Sequence, residues 1–475
     1  MKVLKNYLWN AFYQLFLIIV PVITMPYITR VLGQTNNGIY AFTYSNVQYF
    51  ILLGSLGVSL YGNREIAYLR KDRKATTDAF WSIFFMRLVT IIVAMVAFFI
   101  FLTFTGNYRP YYLAQGLAII AAMLDVSYLF MGFENFRITV IRNFIVKLLS
   151  LILIFTLVKQ RSDLTVYILI VAGSTLFGNL TLWPYLKRYV DRPIFKDLTY
   201  KKHFLESLSL LIPQVATQVY VLLNKTMVGL MVSVSASGFY NYADNITKIL
   251  LSVVTAVATV MLPHAANAYA QGDEAGVRKY LYLAFQFASF LAVPLAFGLA
   301  AIAPKFAVLY LSKAFSEVGT LIVIEAAVVI LIAWSNVIGI QYLMATHQNR
   351  AYTISIIFGA GTNIVLNIPM IMLWQTPGAM VSTVISEFAV TLYQIFAIRK
   401  QVKISKLFQD QWKYFLGGII MFIGVRFLHD RWIMTYKQLI VEVAIGIVIY
   451  FVLIFILRPQ VLKTAKDFLR QRKKA

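Results

Sequence analysis

The chain reads as an all-α polytopic membrane protein: about 14 transmembrane helices, forming two six-helix lobes in a parallel pseudo-two-fold repeat, plus two C-terminal helices. Three observations predict this. Of its 475 residues 60% are hydrophobic and only 13% charged, with a mean hydropathy of +0.74, more apolar surface than a soluble core requires. The apolar residues fall into stretches that meet or approach the roughly 20 residues a helix needs to cross hydrocarbon, separated by short loops. These stretches are too long for barrel strands, and a bilayer offers no water to unpaired backbone groups, so helices are the solution.

In chain order, spans near 7–29, 38–62, 78–104, 111–132, 138–158 and 164–187 make an N-lobe, residues 1–187. The first is too long for a signal-peptide core and lacks a small-residue cleavage site, so it is expected to be retained. Pro21 and Pro26 should kink it unless neighbours satisfy the freed carbonyls. The longest polar interruption, 188–203, reads as a cytoplasmic inter-lobe linker. Spans near 204–231, 237–262, 280–302, 318–343, 351–373 and 378–398 make a C-lobe, residues 204–398. Residues 200 apart echo one another there: GIYAFTYS from Gly38 against GFYNYADN from Gly238. An even number of spans per lobe gives both repeats the same orientation, about an axis along the membrane normal. Spans near 412–428 and 437–457 are the appended pair within 399–457. The basic tail 458–475 spaces Val461, Leu462, Ala465 and Leu469 at near-helical intervals, a pattern that suits either the anionic inner leaflet or a solvated tail.

A net charge of +24 could signal nucleic acid, and the placement of the basic residues decides against it. With the N-terminus in the cytoplasm, 29 of the 43 Lys and Arg fall in cytoplasmic segments and 8 in external ones. The positive-inside rule then puts both termini in the cytoplasm, with Arg70, Lys71, Arg73 and Lys74 marking one inner loop and Lys201 and Lys202 another.

The chain has no cysteine, which excludes disulfides, thiolate metal sites and cysteine nucleophiles. No Gly-rich loop ends in the GK[ST] of a P-loop, and His203, His264, His347 and His429 lack metal-ligand spacing. The external loops are short, the longest near 303–317, which argues against a polymerase or membrane glycosyltransferase. The sequence therefore predicts a transporter, no enzyme, without a cofactor.

Charge within the spans carries the functional signal, because Lys, Arg or Asp at a helix centre costs about 2.5–3.5 kcal/mol. The basic set is Arg87, Arg142, Lys147, Lys225, Lys248 and Arg426; the acidic set includes Asp125, Asp244, Glu325, Glu387 and Glu442. Arg142 and Arg426 are near enough to span ends to snorkel, and Asp244 and Lys248, four apart, can neutralise one another on one helix face. Arg87, Lys225 and Lys248, on three different helices, are taken as cavity-lining cations for an anionic cargo. Asp125, Asp244 and Glu325 are the candidates for Na+ or H+ coupling, with a counter-ion role as the alternative; the membrane potential alone could also drive transport. Tyr40 and Tyr240 occupy equivalent places in the repeat, where rings either pack or stack against sugar.

The stretches MKVLKNYLWNAFYQ, ITRVLGQTNNGIY, GSLGVSLYGNREIAYLRKDRK and LIPQVATQVYVLLNKTMVGL resemble bacterial Wzx-type polysaccharide repeat-unit flippases, of the superfamily that also holds MATE exporters and peptidoglycan-precursor flippases. The resemblance spans essentially the whole chain and is most specific over 54–74. It implies a MATE-like, alternating-access carrier in the bacterial cytoplasmic membrane. The implied substrate is undecaprenyl-diphosphate-linked oligosaccharide, moved from inner to outer leaflet for capsule, exopolysaccharide or wall polymer beside polysaccharide polymerase and glycosyltransferases. A teichoic-acid precursor flippase is a close relative. Arg30 and Arg64, inside the quoted stretches, join the substrate-binding candidates. Asn224 stands where the resemblance leads one to expect Asp, and His264 where an Arg often follows the proline. The principal alternative is a MATE-like ion-coupled exporter of small cationic compounds, whose cavity should be acidic and aromatic.

Overall fold

Helices begin and end close to the bounds expected from hydropathy, and several of the breaks, at Gly33, Leu56–Gly57 and Gln375 among them, occur where a residue takes positive φ. The computed structural model describes residues 2–258 and 262–462, excepting the side chains of 2–15, 17, 18, 136, 137, 197, 210, 212–214, 216, 217 and 256–258. No strand occurs among the described residues, and eight helical stretches there have the length and apolarity of a membrane span. Most of the basic tail, 463–475, lies outside the described residues, Ala465 and Leu469 included.

The chain divides into two compact units, Met1–Gly238 and Phe239–Ala475. In the first, α1 (Lys2–Ser55) carries spans 1 and 2 and breaks between them at Gly33, φ 73°, a conformation glycine adopts without steric cost. Pro21 and Pro26 lie within helical backbone, and Gly33 is the residue that leaves it. Span 2 continues past Leu56 and Gly57, φ 47° and 69°, as α2 (Val58–Leu69). The helix α3 (Arg73–Leu102) is capped by Asp72, which accepts from Ala75 N–H. Span 4 is split into α4 (Arg109–Met123) and α5 (Ser127–Gly132). Then follow α6 (Phe136–Leu157), α7 (Leu164–Leu180) and α8 (Tyr200–Met231). The next helix, α9 (Val234–Ala258), begins in the first unit and continues into the second.

The second unit continues with α10 (Leu262–Ala270), α11 (Glu274–Tyr310) and α12 (Ser316–Ile338), whose end widens into a π-helical turn, Gly339–Met344. Spans 11 and 12 share α13 (Asn349–Ile398), reversed at Gln375, φ 55°. A single turn, α14 (Ile404–Leu407), precedes the appended pair α15 (Gln411–Arg431) and α16 (Tyr436–Leu457).

Both appended helices pack on α11. Pro294 leaves the Phe290 carbonyl without its usual i+4 donor, and Tyr450 of α16 supplies one, Oη donating at 3.0 Å. Lys305 Nζ, one residue past Pro304, donates to the carbonyls of His429, Asp430 and Trp432 at the α15 C-terminus, where a helix favours a cation.

Within unit 1 the two glycines of the sequence echo meet. A Cβ at Gly238 would lie 2.9 Å from Gly38 Cα, and one at Gly38 would lie 2.2 Å from the Val234 carbonyl oxygen. Only backbone could give way there, so Gly38→Val is expected to lower the melting temperature of the detergent-purified protein by an overpacking cost of about 1–3 kcal/mol. Gly361→Ala, with nothing within 4 Å of its Cβ, should leave the melting temperature unchanged or raised; fluorescence-detected size-exclusion after heating measures both.

Candidate functional site

In unit 1 the broken span 4 organises the buried charge. The carbonyls of Ala121, Leu124 and Asp125 sit at the break, and three side chains satisfy them. Asn179 Nδ2 donates to Ala121 at 2.7 Å, Trp183 Nε1 to Leu124 at 3.0 Å and Arg87 Nη1 to Asp125 at 2.7 Å. Arg87 Nη2 also lies 3.8 Å from the Asp125 carboxylate, which itself accepts from Ser127 N–H at the start of α5. Arg87 is 2% exposed. Its guanidinium therefore closes the break in span 4, and Asp125 is its partner. Arg142, expected to snorkel, instead donates to Asn179 Oδ1 at 2.9 Å and steadies the same seam. Arg426 pairs with Asp430 at 3.1 Å, one turn along its own helix.

Span 2 and α8 form a second polar seam. Asn46 Nδ2 donates to Tyr112 Oη at 2.6 Å, Asn46 Oδ1 accepts from Thr226 at 2.9 Å, and Tyr49 Oη reaches Thr226 at 3.5 Å. Lys225 is buried beside Thr226, its carbonyl accepting from Ser237 Oγ at 2.8 Å, and Asn224 is fully buried. Tyr40 packs on Tyr44 and Tyr167, ring centroids 5.7 and 4.9 Å apart, and Tyr44 is exposed. Arg30 is exposed and its Nη1 donates to the Pro26 carbonyl at 3.3 Å.

Toward the N-terminus of α8 the seam becomes ionic. Arg64 pairs with Glu206 at 3.2 Å and covers the Tyr61 ring at 5.6 Å, Lys202 lies 3.6 Å from Glu65, and Tyr61 Oη bonds His203 Nδ1 at 2.6 Å. His203, which precedes the apolar run 204–231, was not singled out from the sequence. Burial, the largest influence, holds its imidazole below the ordinary 6.5. A ring with a depressed pKa stays neutral above 6.5 and contributes its full stability there, which is lost as pH falls through the lowered value. Wild-type melting temperature should therefore decline on acidification below 6.5, and less steeply in His203→Gln; a pH series of melting curves on both checks this.

In unit 2 charge gathers around α9. Lys248 bonds Asp244 at 2.7–2.9 Å, the i,i+4 neutralisation the spacing allows, yet its side chain remains 44% exposed while that of Asp244 is 7% exposed. Glu325 of α12 and Glu387 of α13 are the further carboxylates whose charge reaches Lys248, and Thr247 Oγ1 donates to Glu325 at 3.2 Å. Tyr240 Oη meets Thr383 Oγ1 at 2.9 Å, tying α9 to α13. The structure thus gathers Lys248, Asp244 and Glu325 into one polar cluster in unit 2; Arg87, Asp125, Lys225, Arg30, Arg64 and Tyr40 belong to unit 1. Among the described residues no group of three His, Cys, Asp or Glu has metal-binding geometry.

Two features of unit 2 escaped the sequence. His429 and Glu442, both essentially fully buried, pair at 3.0 Å across the α15–α16 hairpin, and His429 Nε2 accepts from Lys305 N–H. The short loop joining these spans was the available signal, since it brings residues near its two ends together. An apolar groove of about 330 Å3 runs along α9, α11, α15 and α16, lined by residues such as Leu250, Leu295, Val425 and Phe451, with Glu442 on its wall.

These elements define an all-helical multi-pass membrane protein with paired charges held at span depth. The chain belongs to the polysaccharide biosynthesis protein family, whose model matches residues 3–268. The model of Lipid II flippase MurJ matches residues 147–445. Similar proteins include the "Putative O-antigen transporter" of Escherichia coli (strain K12), 21% identical over 408 residues, covering 83% of this chain and 96% of the relative. Lipid II flippase MurJ of Bacillus subtilis (strain 168) is 22% identical over 166 residues, 34% of this chain and 30% of that protein. Among solved structures, Lipid II flippase MurJ in an inward closed conformation aligns with a TM-score of 0.76 at 13% identity, covering 96% of this chain and 98% of that one. An inward-facing MATE family multidrug transporter aligns at 0.63 and 13% identity, covering 81% of this chain and 98% of that one.

Proposed function

We propose that this chain is a flippase for lipid-linked oligosaccharide, carrying it across the membrane for polysaccharide synthesis. The observation that carries this reading is the match along 96% of an O-antigen transporter relative, supported by the polysaccharide biosynthesis and MurJ family models. The relatives are transporters and flippases, and the short loops leave little room for an extramembrane catalytic domain. The proposed substrate is an undecaprenyl diphosphate carrying a sugar repeat unit, in the capsule, exopolysaccharide or a related wall-polymer pathway.

A diphosphate entering a low-dielectric space needs cationic donors. Lys225 and Lys248 are the residues proposed for it, Lys248 in exchange for part of its bond to Asp244; Arg30 and Arg64 are the proposed cations nearer the span ends. Arg87 enters the proposal through the fold, by holding span 4 against Asp125. Tyr40 and Tyr240 are proposed to border the sugar path, and the groove along α9, α11, α15 and α16 suits a segment of isoprenoid chain. An inside-negative potential favours outward movement of an anion by up to about 2.3 kcal/mol per charge per 100 mV, so the potential supplies a driving force without nucleotide. The excess of carboxylates around Lys248, with Asp244 and Glu325 foremost, supports a contribution from H+ or Na+ at the same place.

The test is lipid-linked substrate retained in the inner leaflet of a strain relying on this chain, at matched expression. Lys225→Gln should leave membrane insertion intact and lower export roughly 10- to 150-fold, the equivalent of one charge-assisted hydrogen bond, while Lys225→Arg retains part of it. Wild-type export by Lys225→Gln and Lys248→Gln together would remove the phosphate assignment.

The proposed orientation puts both termini and the 70–74 loop in the cytoplasm. A cysteine introduced at exposed Lys71, in a chain without native cysteine, should resist an impermeant thiol reagent in intact cells and react after permeabilisation; labelling from outside would reverse the topology.

A further inference from the structure

Unit 2 also holds a polar concavity that shares no residue with the Lys248 cluster. It has a volume of about 990 Å3 and is built from the first turns of α11, the connection from α13 through α14 toward α15, and Gln460 just beyond α16. Arg278 and Lys279 face it from α11, and Arg399, Lys400, Lys403 and Lys406 from the connection. Arg278 is paired with Glu274 at 3.0 Å. Among the described residues none of the other five cations has a carboxylate at ion-pair distance; Arg399 instead lies 3.7 Å over the Phe396 ring.

The walls are fixed. Lys403 N–H donates to Tyr282 Oη at 2.9 Å, Gln401 exchanges amide bonds with Gln348 at 2.8 and 2.9 Å, and Gln460 N–H donates to Asp410 at 2.7 Å. Gln286 also lines the cavity: it is 4% exposed, and its carboxamide makes no hydrogen bond among the described residues. With no protein partner, this amide is open to a ligand in the cavity, to which it can both donate and accept. The positive-inside rule accounts for the basic residues of this connection as a topology signal, but it requires neither a concavity, nor a pinned loop, nor an amide on the wall.

We propose that this cavity binds a phosphate-bearing anion at the membrane face that the positive-inside rule assigns to the cytoplasm. The chemistry is that of an anionic phospholipid headgroup or a soluble phosphate. The oxygens of one compact anion can accept from Lys and Arg donors and from the Gln286 amide at once. Placement at the ends of membrane helices sets the site at headgroup depth, where basic clusters attract anionic lipid.

The experiment uses the full-length protein. Native mass spectrometry scores retained phosphatidylglycerol against phosphatidylcholine, and titration in phosphatidylcholine nanodiscs scores inorganic pyrophosphate. Preference for phosphatidylglycerol with no pyrophosphate binding assigns the site to the lipid headgroup; binding of both assigns it to phosphate generally. Gln286→Leu leaves the net charge, and so the topology signal, untouched, and should weaken binding roughly tenfold with an unchanged melting temperature. Lys403→Gln with Lys406→Gln should weaken it further, whereas Lys71→Gln, outside the cavity, should not. Absence of any preference for phosphatidylglycerol together with no pyrophosphate binding overturns the proposal. So does wild-type affinity in Gln286→Leu, or an equal loss in Lys71→Gln, because either result would reduce the effect to diffuse surface charge.

Discussion

A carbonyl released from a helix inside hydrocarbon has no water to turn to, and leaving it unpaired costs several kcal/mol. This constraint accounts for several of the buried polar side chains. The split in span 4 is held by Asn179, Trp183 and Arg87. Near the Leu56–Gly57 break, Thr90 Oγ1 donates to the Gly54 carbonyl at 2.7 Å, and beside Gly33, Asn37 donates to the carbonyls of Ile28 and Gly33. Tyr450 answers the carbonyl that Pro294 frees. Each interruption lets a span bend, and each is matched by a donor from another helix or the next turn, so the breaks are built features of the fold.

The same economy governs charge. A buried ion with its partner removed is far more destabilising than the pair is stabilising, and the cations at depth are accordingly provided for. Arg87 has Asp125, Arg142 has Asn179, and Lys248 has Asp244. Lys248 differs in remaining substantially exposed, with Glu325 and Glu387 adding negative charge around it.

The fold shared with MurJ and MATE structures at 13% identity shows how little of this architecture depends on particular side chains. Helix lengths are fixed by the bilayer, and a few glycines, Gly33 and Gly57 among them, take the positive φ at which spans break. Fold similarity alone does not choose between a saccharide-lipid and a drug; the family match along the sequence makes that choice.

How much was legible before the structure follows from the range of each interaction. Span positions and the i,i+4 bond between Asp244 and Lys248 were readable, because hydropathy and helical spacing are local properties of the chain. The echo between Gly38 and Gly238 was also in the sequence, but only packing revealed that the two glycines touch. Arg87 read as a cation awaiting a ligand, since no rule of spacing links position 87 to a carbonyl at 125. For the same reason His203 on Tyr61, Glu442 on His429 and the unpaired Gln286 among six basic side chains went unseen. The sequence by itself determined that this protein is a bundle of membrane-crossing helices and which ends carry positive charge, because hydrophobicity acts residue by residue. Only the tertiary structure decided which buried charges are taken up by the fold and which remain accessible, because that depends on donors and acceptors that meet in space at separations no local pattern encodes.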